Sequence, residues 1–526
     1  MKKLKLGTIL CGLIWAAQGI VELLLGLAIR KLNMLPDRYF AILAGVLMLL
    51  WGIVGALLFL GGKKKRGSFE KGGKNGPGIF RRTVACLLAI VMIVGCAFAR
   101  SVVTNVYSTV DGITGAAETV SVSMSVYVLA DDPASSIADA SSYVFAYLDG
   151  YETGRTLKTI AMLSQETGTE IETIEFATLA ELVEGLYQGQ CNAIILNSAY
   201  VTLLEETEEY LDFSEKTRVL YTAMLEEEII IAQPAATDAI DGTQVTQQTE
   251  PEEEYSISTS PFVLYISGSD TRDYYLSTSR SDVNILMVVN PETKQVLLIN
   301  TPRDYYISNP VGGGAKDKLT HCGIYGISCS VQALEGLYEV DIRYSAQINF
   351  TGVETLVDAI GGIDVYSDEG FYALSTHWID QGMNHLNGEE ALAFARDRYH
   401  VSGGDNGRGR HQMAVIQAVI QKVTTGTTII QNYTGILESI SGMFKTDITS
   451  EEIGELVKMQ LEDMASWSIQ SYAVTGTGGS EITYSMPGLY CYVMYPDQEA
   501  VDYAAHLIDR VFAGENLTAQ DMVIPN

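Results

Sequence analysis

Positive charge is what this sequence is short of. Only 34 of its 526 residues are Lys or Arg, against 64 Asp and Glu, for a formal net charge of −30 at pH 7. The deficit is uneven: residues 1–100 hold 15 basic residues and only Glu22, Asp37 and Glu70 as acids, a net of +12, so the other 426 carry 19 basic against 61 acidic groups, a net of −42. An exterior that acidic repels a phosphate backbone over most of its surface, which excludes nucleic acid as a partner. Prolines are also few, 12, and with 47% hydrophobic residues the chain has apolar material for the cores of two or three domains. The seven cysteines are scattered, and His321 has no second Cys/His cluster to accompany it, which argues against a zinc site.

What is present begins with long apolar runs. Gly7 to Ile29 and Tyr39 to Leu60 each have the roughly 20 residues that a bilayer core requires, and "TVACLLAIVMIVGCAFA" (Thr83 to Ala99) is a shorter third. Lys2, Lys3 and Lys5 precede the first run, and Lys63, Lys64, Lys65, Arg66, Lys71, Lys74, Arg81 and Arg82 separate the second from the third. The positive-inside bias makes both flanks cytoplasmic and sends everything beyond residue 100 outside. No small-residue cleavage site follows the first run, so it reads as a span and not a signal peptide. Glu22, inside that span, is expected to face neighbouring helices or an interface. Residues 1–100 are thus expected to be a three-helix membrane anchor.

Residues 121–232 read as a small α/β module. "SVSMSVYVL" alternates as a strand does, "LAELVEGLYQG" is an amphipathic helix and "CNAIILN" a short buried strand. The order is like a lobe of a solute-binding protein, in which the turn after "AIILN" lines a cleft; a module with no ligand fits equally. Residues 235–256, polar and acidic without apolar period, read as a linker.

The last domain, 261–515, opens with "PFVLYIS", "VNILMVVN" and "QVLLINTP". The four residues Pro291 to Lys294 are too short for a crossover, so the second and third runs form an antiparallel hairpin, which brings Asp282 and Arg303 to one sheet edge. If the first run is also antiparallel to the second, Asp270 joins them. Two carboxylates beside an arginine suit a divalent cation next to a bound phosphate, and they equally suit ordinary turn aspartates.

Against the general scarcity of positive charge, "FARDRYHVSGGDNGRGRHQ" (Phe394 to Gln412) holds four of the 11 arginines beyond residue 100. Asn387 and Glu390 form a capping-box pattern for a helix ending near Ala395, and "MAVIQAVIQKV" is a second helix. Arg408 and Arg410 fall where the second helix already presents partial positive charge. Guanidinium stacked on that end implies a bound anion, for which helix amides and forked donors make a phosphate or pyrophosphate site.

Taken in order, "GSDTR", "SRSDVNILMVVNPETKQVLLINTPRDYYI", "DKLTH", "INFTGVETLVDAIGGIDV", "LNGEEALAFARDRY" and "GGDNGRGRHQ" resemble the LytR-CpsA-Psr family of cell-wall phosphotransferases over residues 261–515. The resemblance implies a membrane-anchored extracellular enzyme that moves an anionic glycopolymer, of teichoic acid or capsular type, from an undecaprenyl-pyrophosphate carrier to peptidoglycan. It implies an α/β fold with a mixed central sheet flanked by helices, sometimes preceded by an accessory module like residues 121–232. It further implies Asp270 and Asp282 as metal-associated carboxylates for Mg²⁺ (or Mn²⁺), and Arg280, Arg303, Arg396, Arg398 and Arg408, with Lys318 and Gln412, as the pyrophosphate grip. Asp405 matches the acid of the "GD" loop. The sequence departs from the family at His411, where many relatives carry arginine; Arg410, one residue earlier, is the alternative for that contact, although its side chain points about 100° away on a helix.

Phosphoryl transfer needs charge neutralisation and alignment more than covalent chemistry, and these residues meet that need. The acceptor hydroxyl requires a base, for which Asp405 or Asp304 is the candidate. Cys322 and Cys329, in a domain where a disulfide is permissible, are expected to be bonded to each other. Two other classes fit the same anion site: a hydrolase with water as acceptor, and a regulator that binds the lipid pyrophosphate without turnover.

Overall fold

A computed structural model of the chain describes residues 6–60, 77–114, 118–150, 152–229, 255–272, 274–425, 435–436 and 438–525. The basic runs at 2–5 and 63–74, and all of the expected linker save residues 255 and 256, lie outside them. The chain forms two compact units, one of Met1–Gly112, Ile430–Glu438 and Thr449–Ala465, the other of Ile113–Ile429, Ser439–Ile448 and Ser466–Asn526.

The first unit holds α1 (Leu6–Leu32), α2 (Asp37–Phe59) and α3 (Pro77–Ile113). All three are long and apolar enough to cross a membrane, with mean hydropathies of 1.9, 2.6 and 2.4. The third helix runs 37 residues, well past the expected apolar run, because the segment after Ala99 has no proline and no glycine before Gly112. Trp15 and Trp51 stack at 4.1 Å, each indole donating to the other's backbone carbonyl, which ties α1 to α2. Glu22 is buried and accepts from Gln18 Nε2 at 2.8 Å. A helix at Ser450–Asp463, α13 by its place in the chain, belongs to this unit; a Thr449/Glu452 capping box starts it, and Lys458 reaches Asp37 at 3.3 Å.

The second unit begins with a five-stranded sheet of β1 (Glu118–Leu129), β2 (Val144–Leu148), β3 (Glu172–Phe176), β4 (Ala193–Asn197) and β5 (Thr217–Ile229), in the order β3-β2-β4-β1-β5. β2 is parallel to β3 and β4, and β1 is antiparallel to β4 and β5. Four helices accompany it: α4 (Thr153–Thr167), α5 (Leu179–Tyr187), α6 (Ala199–Leu204) and α7 (Phe213–Lys216). β4 is buried throughout and apolar up to Asn197, as "AIILN" predicts, and Thr178 caps α5 by accepting from Glu181 N. The module has two cores: one, of Val126, Phe145, Leu163 and Ile195, is its own, but that of Leu182, Leu186, Ile194 and Phe213 does not close on itself. It continues into Ile324, Met486, Leu489, Cys491 and Val493 of the domain that follows.

That domain is built on β6 (Phe262–Ser269), β7 (Ser281–Asn290) and β8 (Gln295–Asn300), extended by β11 (Tyr344–Asn349), β16 (Phe444–Thr446) and β17 (Ser468–Ala473) into the order β16-β11-β6-β7-β8-β17. β7 is antiparallel to both β6 and β8, while β11 is parallel to β6 and β17 to β8, so the sheet is mixed as expected. One face packs under α9 (Ile327–Tyr338) and α14 (Gln498–Phe512), where Val263, Leu286, Val288, Leu297 and Ile299 meet Leu334, Leu507 and Val511. Each such fully buried side chain contributes about 1.5–3 kcal/mol. α10 (Phe350–Ala359), α11 (Gly388–Arg396) and α12 (Gly404–Thr424) form the other layer, α12 lying against β7, β8 and β17. The short helix α8 (Leu319–Cys322) precedes α9. Hairpins β9 (Tyr306–Ser308) with β10 (Lys316–Lys318), β12 (Ile363–Ser367) with β15 (Gly382–Leu386), β13 (Phe371–Ala373) with β14 (His377–Ile379), and β18 (Gly476–Ile482) with β19 (Tyr490–Pro496) complete it.

Candidate functional site

The antiparallel order of β6, β7 and β8 settles where the acidic and basic side chains meet. Asp270 directly follows β6, Asp282 is the second residue of β7 and Arg303 lies three residues beyond β8, so all three stand at one end of the sheet. Arg303 Nη1 donates to Asp282 Oδ1 at 2.8 Å, and Thr320 Oγ1 reaches the same oxygen at 3.1 Å. Arg280 Nη2 bonds Asp270 Oδ2 at 2.7 Å. Burial would raise the Asp282 carboxyl, but Arg303 and Arg280 overcome it and hold the group well below its ordinary value.

The opening of a cavity of about 470 Å³ lies here, lined by Asp270, Arg280, Asp282 and Arg303 from the sheet edge and by Arg396, Arg398, Arg408 and Gln412 from the helical layer. The Asn387/Glu390 capping box is formed as the sequence predicts, and α11 delivers Arg396 as its last residue. Asp397, fully buried, then accepts from the backbone of Leu374, Tyr399 and His400 and so fixes the turn on which Arg398 stands. Burial would raise Asp397, and these donors hold it below its ordinary value. Arg396 stacks on Phe350 at 4.2 Å and Arg398 on Tyr399 at 4.8 Å. Among the described residues, neither arginine has a carboxylate within ion-pair distance.

α12 enters through Gly403, whose φ of +88° lies in the left-handed region that glycine adopts freely. Arg408 and Gln412, one turn apart, share the face toward the cavity, and Arg408 pairs with Asp405 in the first turn. Gly409 permits the close approach: a Cβ there would stand 2.3 Å from Asn300 Nδ2 at the end of β8. Gly409→Val is therefore expected to push α12 off the sheet, costing about 1–3 kcal/mol. The thermal midpoint should fall, and pyrophosphate affinity should fall with it.

The remaining expected residues lie elsewhere. Arg410 is exposed and donates to Ser402 O at 2.8 Å, away from the cavity. His411 is a core residue, stacked on Phe394 at 3.9 Å and on Phe371 at 5.3 Å, and burial lowers its imidazole below the ordinary value. Neither replaces the other as an anion contact. Lys318, almost fully buried, does not line the cavity; its Nζ lies 2.8 Å from Asp304 Oδ1 and 3.1 Å from Glu206 Oε2. Asp304 is likewise held between Lys318 and Arg303. Cys322 and Cys329 are buried free thiols, not the expected disulfide. Cys329 Sγ lies beside the Cys322 thiol and 3.5 Å from Asn309 Oδ1.

The sequence did not point to Glu206. It follows α6, beyond the "AIILN" strand, and with Thr202 and Glu205 it lines the same cavity from the accessory module. The turn directly after "AIILN" does not line this cavity; the lining comes from α6 and the residues that follow it, and the cavity is shared with the next domain. Glu206 bonds Arg280 Nη1 and Lys318 Nζ, and lies 3.6 Å from Arg303 Nη2. Its signal in the sequence is one glutamate among several in "LLEETEEY", with nothing to single it out.

No cluster of three or more His, Cys, Asp or Glu able to hold a metal occurs among the described residues. Asp270 and Asp282 each commit one oxygen to an arginine, which leaves a donor set sufficient for a hard cation only when phosphate oxygens complete it.

Three helices long and apolar enough to cross a membrane, followed by a mixed α/β domain with an arginine-lined cavity at one sheet edge, define the class of this chain. The LytR_cpsA_psr family is matched over residues 230–503, more than half of the chain, and the chain belongs to that family. It is 36% identical over 208 residues to the polyisoprenyl-teichoic acid–peptidoglycan teichoic acid transferase TagU of Bacillus cereus, covering 39% of this chain and 67% of that one. The TagU of Enterococcus faecalis is 34% identical over 198 residues, 37% of this chain and 64% of that relative. The matched segment thus spans about two thirds of each relative. The Lin1025 protein from Listeria innocua is a similar solved structure, at 26% identity and a TM-score of 0.40 over 48% of this chain and all of that one.

Proposed function

We propose that this protein transfers an anionic glycopolymer, of teichoic acid or capsular type, from an undecaprenyl-pyrophosphate carrier to peptidoglycan on the outer side of the membrane, with its N-terminus cytoplasmic. The observation that carries the reading is the pair Arg396 and Arg398, which have no carboxylate partner among the described residues beside a sheet edge where every other cation is neutralised. Such guanidinium groups at a cavity mouth favour an incoming diphosphate.

In the proposed step the acceptor hydroxyl oxygen bonds to the saccharide-side phosphorus, the bridging P–O bond breaks and polyprenyl monophosphate leaves. Arg396, Arg398, Arg408 and Arg303 would neutralise the charge gathering on the phosphoryl oxygens, and Gln412 would orient the diphosphate. Asp270 and Asp282 would hold Mg²⁺ (or Mn²⁺), which supplies further neutralisation when bound. Asp405 would receive the hydroxyl proton; its side chain is 28% exposed and has one cationic partner, whereas Asp304 is 10% exposed between two.

The test uses the full chain in detergent micelles with an undecaprenyl-pyrophosphate-linked labelled saccharide, peptidoglycan oligomers and Mg²⁺. Label joined covalently to peptidoglycan is the expected result, abolished in Asp282→Asn. Released saccharide phosphate without linkage would identify a hydrolase, and retained but unreacted lipid a binding protein.

A further inference from the structure

The accessory module does more than precede the site: it places a carboxylate in the middle of the anion grip. Glu206 presents its backbone to solvent but turns its side chain, 24% exposed, into the cavity. There its two oxygens engage Lys318, Arg280 and Arg303, and the two arginines are the donors that the opposing Arg396, Arg398 and Arg408 would need as partners to hold two phosphates at once. A carboxylate bridging guanidinium and ammonium groups has the charge sign, acceptor geometry and spacing of a phosphate edge. The placement is not that of a mobile arm. Tyr200, on α6 just before it, is buried and hydrogen-bonds Tyr325 OH at 3.0 Å, and Tyr325 in turn bonds Ser485 at 2.9 Å. The surrounding core is continuous with Ile324, Met486 and Leu489.

We propose that Glu206 is a selectivity residue of this site, a fixed internal counter-ion, anchored from behind by Lys318, that holds the inner phosphate position on Arg280 and Arg303, so that a diphosphate must compete with it. The inference rests on the diphosphate reading given above and deepens it. In the resting protein the inner cations are satisfied, and the cavity discriminates against small free anions that cannot engage the outer arginines as well. The carboxylate is ionised for this role: partial burial would raise it, but Lys318, Arg280 and Arg303 hold it below its ordinary value.

The test is calorimetric titration of inorganic pyrophosphate into the full chain in detergent micelles with EDTA present. Glu206→Gln is expected to tighten binding by about tenfold, because a like charge is removed from the phosphate position. Glu206→Asp, which keeps the charge on a shorter arm, should fall between the two. Glu209→Gln removes the same charge from an exposed neighbour three residues away and should shift affinity by less than about threefold, the screened effect of a distant surface charge. Equal or weaker pyrophosphate binding by Glu206→Gln, with a thermal midpoint like the wild type, would overturn the inference and leave the anion site standing. So would a matching gain in Glu209→Gln. No binding by wild type or any variant would remove the anion-site reading itself, and this inference with it.

Discussion

Arg303→Ala is expected to lower the rate of saccharide transfer by about 10³-fold or more, the usual consequence of deleting an arginine that meets charge developing in phosphoryl transfer. Its fork is fixed by Asp282 at 2.8 Å and flanked by Glu206 and Asp304, so its position does not depend on the substrate. Burial would lower its guanidinium, but the three carboxylates raise it, and it carries full charge at any working pH. Arg303→Lys keeps a charge but loses the planar fork, and should recover only part of the rate. The measurement is single-turnover transfer with saturating lipid substrate, so that a loss in the chemical step is separated from a loss in binding. Near-UV circular dichroism checks the fold, since Thr320 still donates to Asp282 in the variant. A decrease of less than tenfold in the single-turnover rate would remove Arg303 from the reacting centre.

Asp317→Ala is expected to be the most destabilising single change outside the apolar core, by about 3–5 kcal/mol, because it breaks a buried charged network by removing one partner. Asp317 is fully buried; Asn309 Nδ2 donates to it at 3.0 Å and Ser485 Oγ at 2.5 Å, and His321 Nδ1 lies 2.6 Å away. Burial would raise its carboxyl, but His321 and these donors hold it below its ordinary value of 3.8. The sign of the pH dependence follows. A carboxyl with a lowered folded value contributes stability that is fully present above 3.8 and is lost as pH falls through that lowered value. Thermal midpoints of wild type and variant should therefore differ most near neutrality and converge in acid. A gap independent of pH would mean that the loss is one of packing alone.

How much of this was legible beforehand depends on distance along the chain. The short Pro291 to Lys294 turn dictated the hairpin, and with it the meeting of Asp282 and Arg303; the neighbour of β7 on its other side was undetermined until pairing was seen, which is why Asp270 was conditional. Asn387 and Glu390 declared the start of α11 because a capping box is a local pattern. Helical period alone separates Arg408 from Arg410, but deciding which one faces the cavity required the contact of Gly409 with Asn300. His411 sits between aromatic rings contributed by two other elements, which no spacing rule encodes. The bond expected between Cys322 and Cys329 followed from compartment alone; the two buried thiols are neighbours but are not bonded. Glu206 was illegible for a simple reason: it lies 64 positions before Asp270, with β5, the linker and β6 between them.

The unclosed core of the accessory module bears on how such chains are assembled over evolutionary time. A part whose interior is completed by Ile324, Met486, Leu489 and Val493 of its neighbour is not portable. Cut away, it would leave an oily scar on both halves; grafted elsewhere, it would arrive with one side open and stick to whatever it met. Recombination that shuffled the module between relatives would have to carry the β18–β19 ribbon with it, so module and ribbon are expected to be inherited as a matched pair.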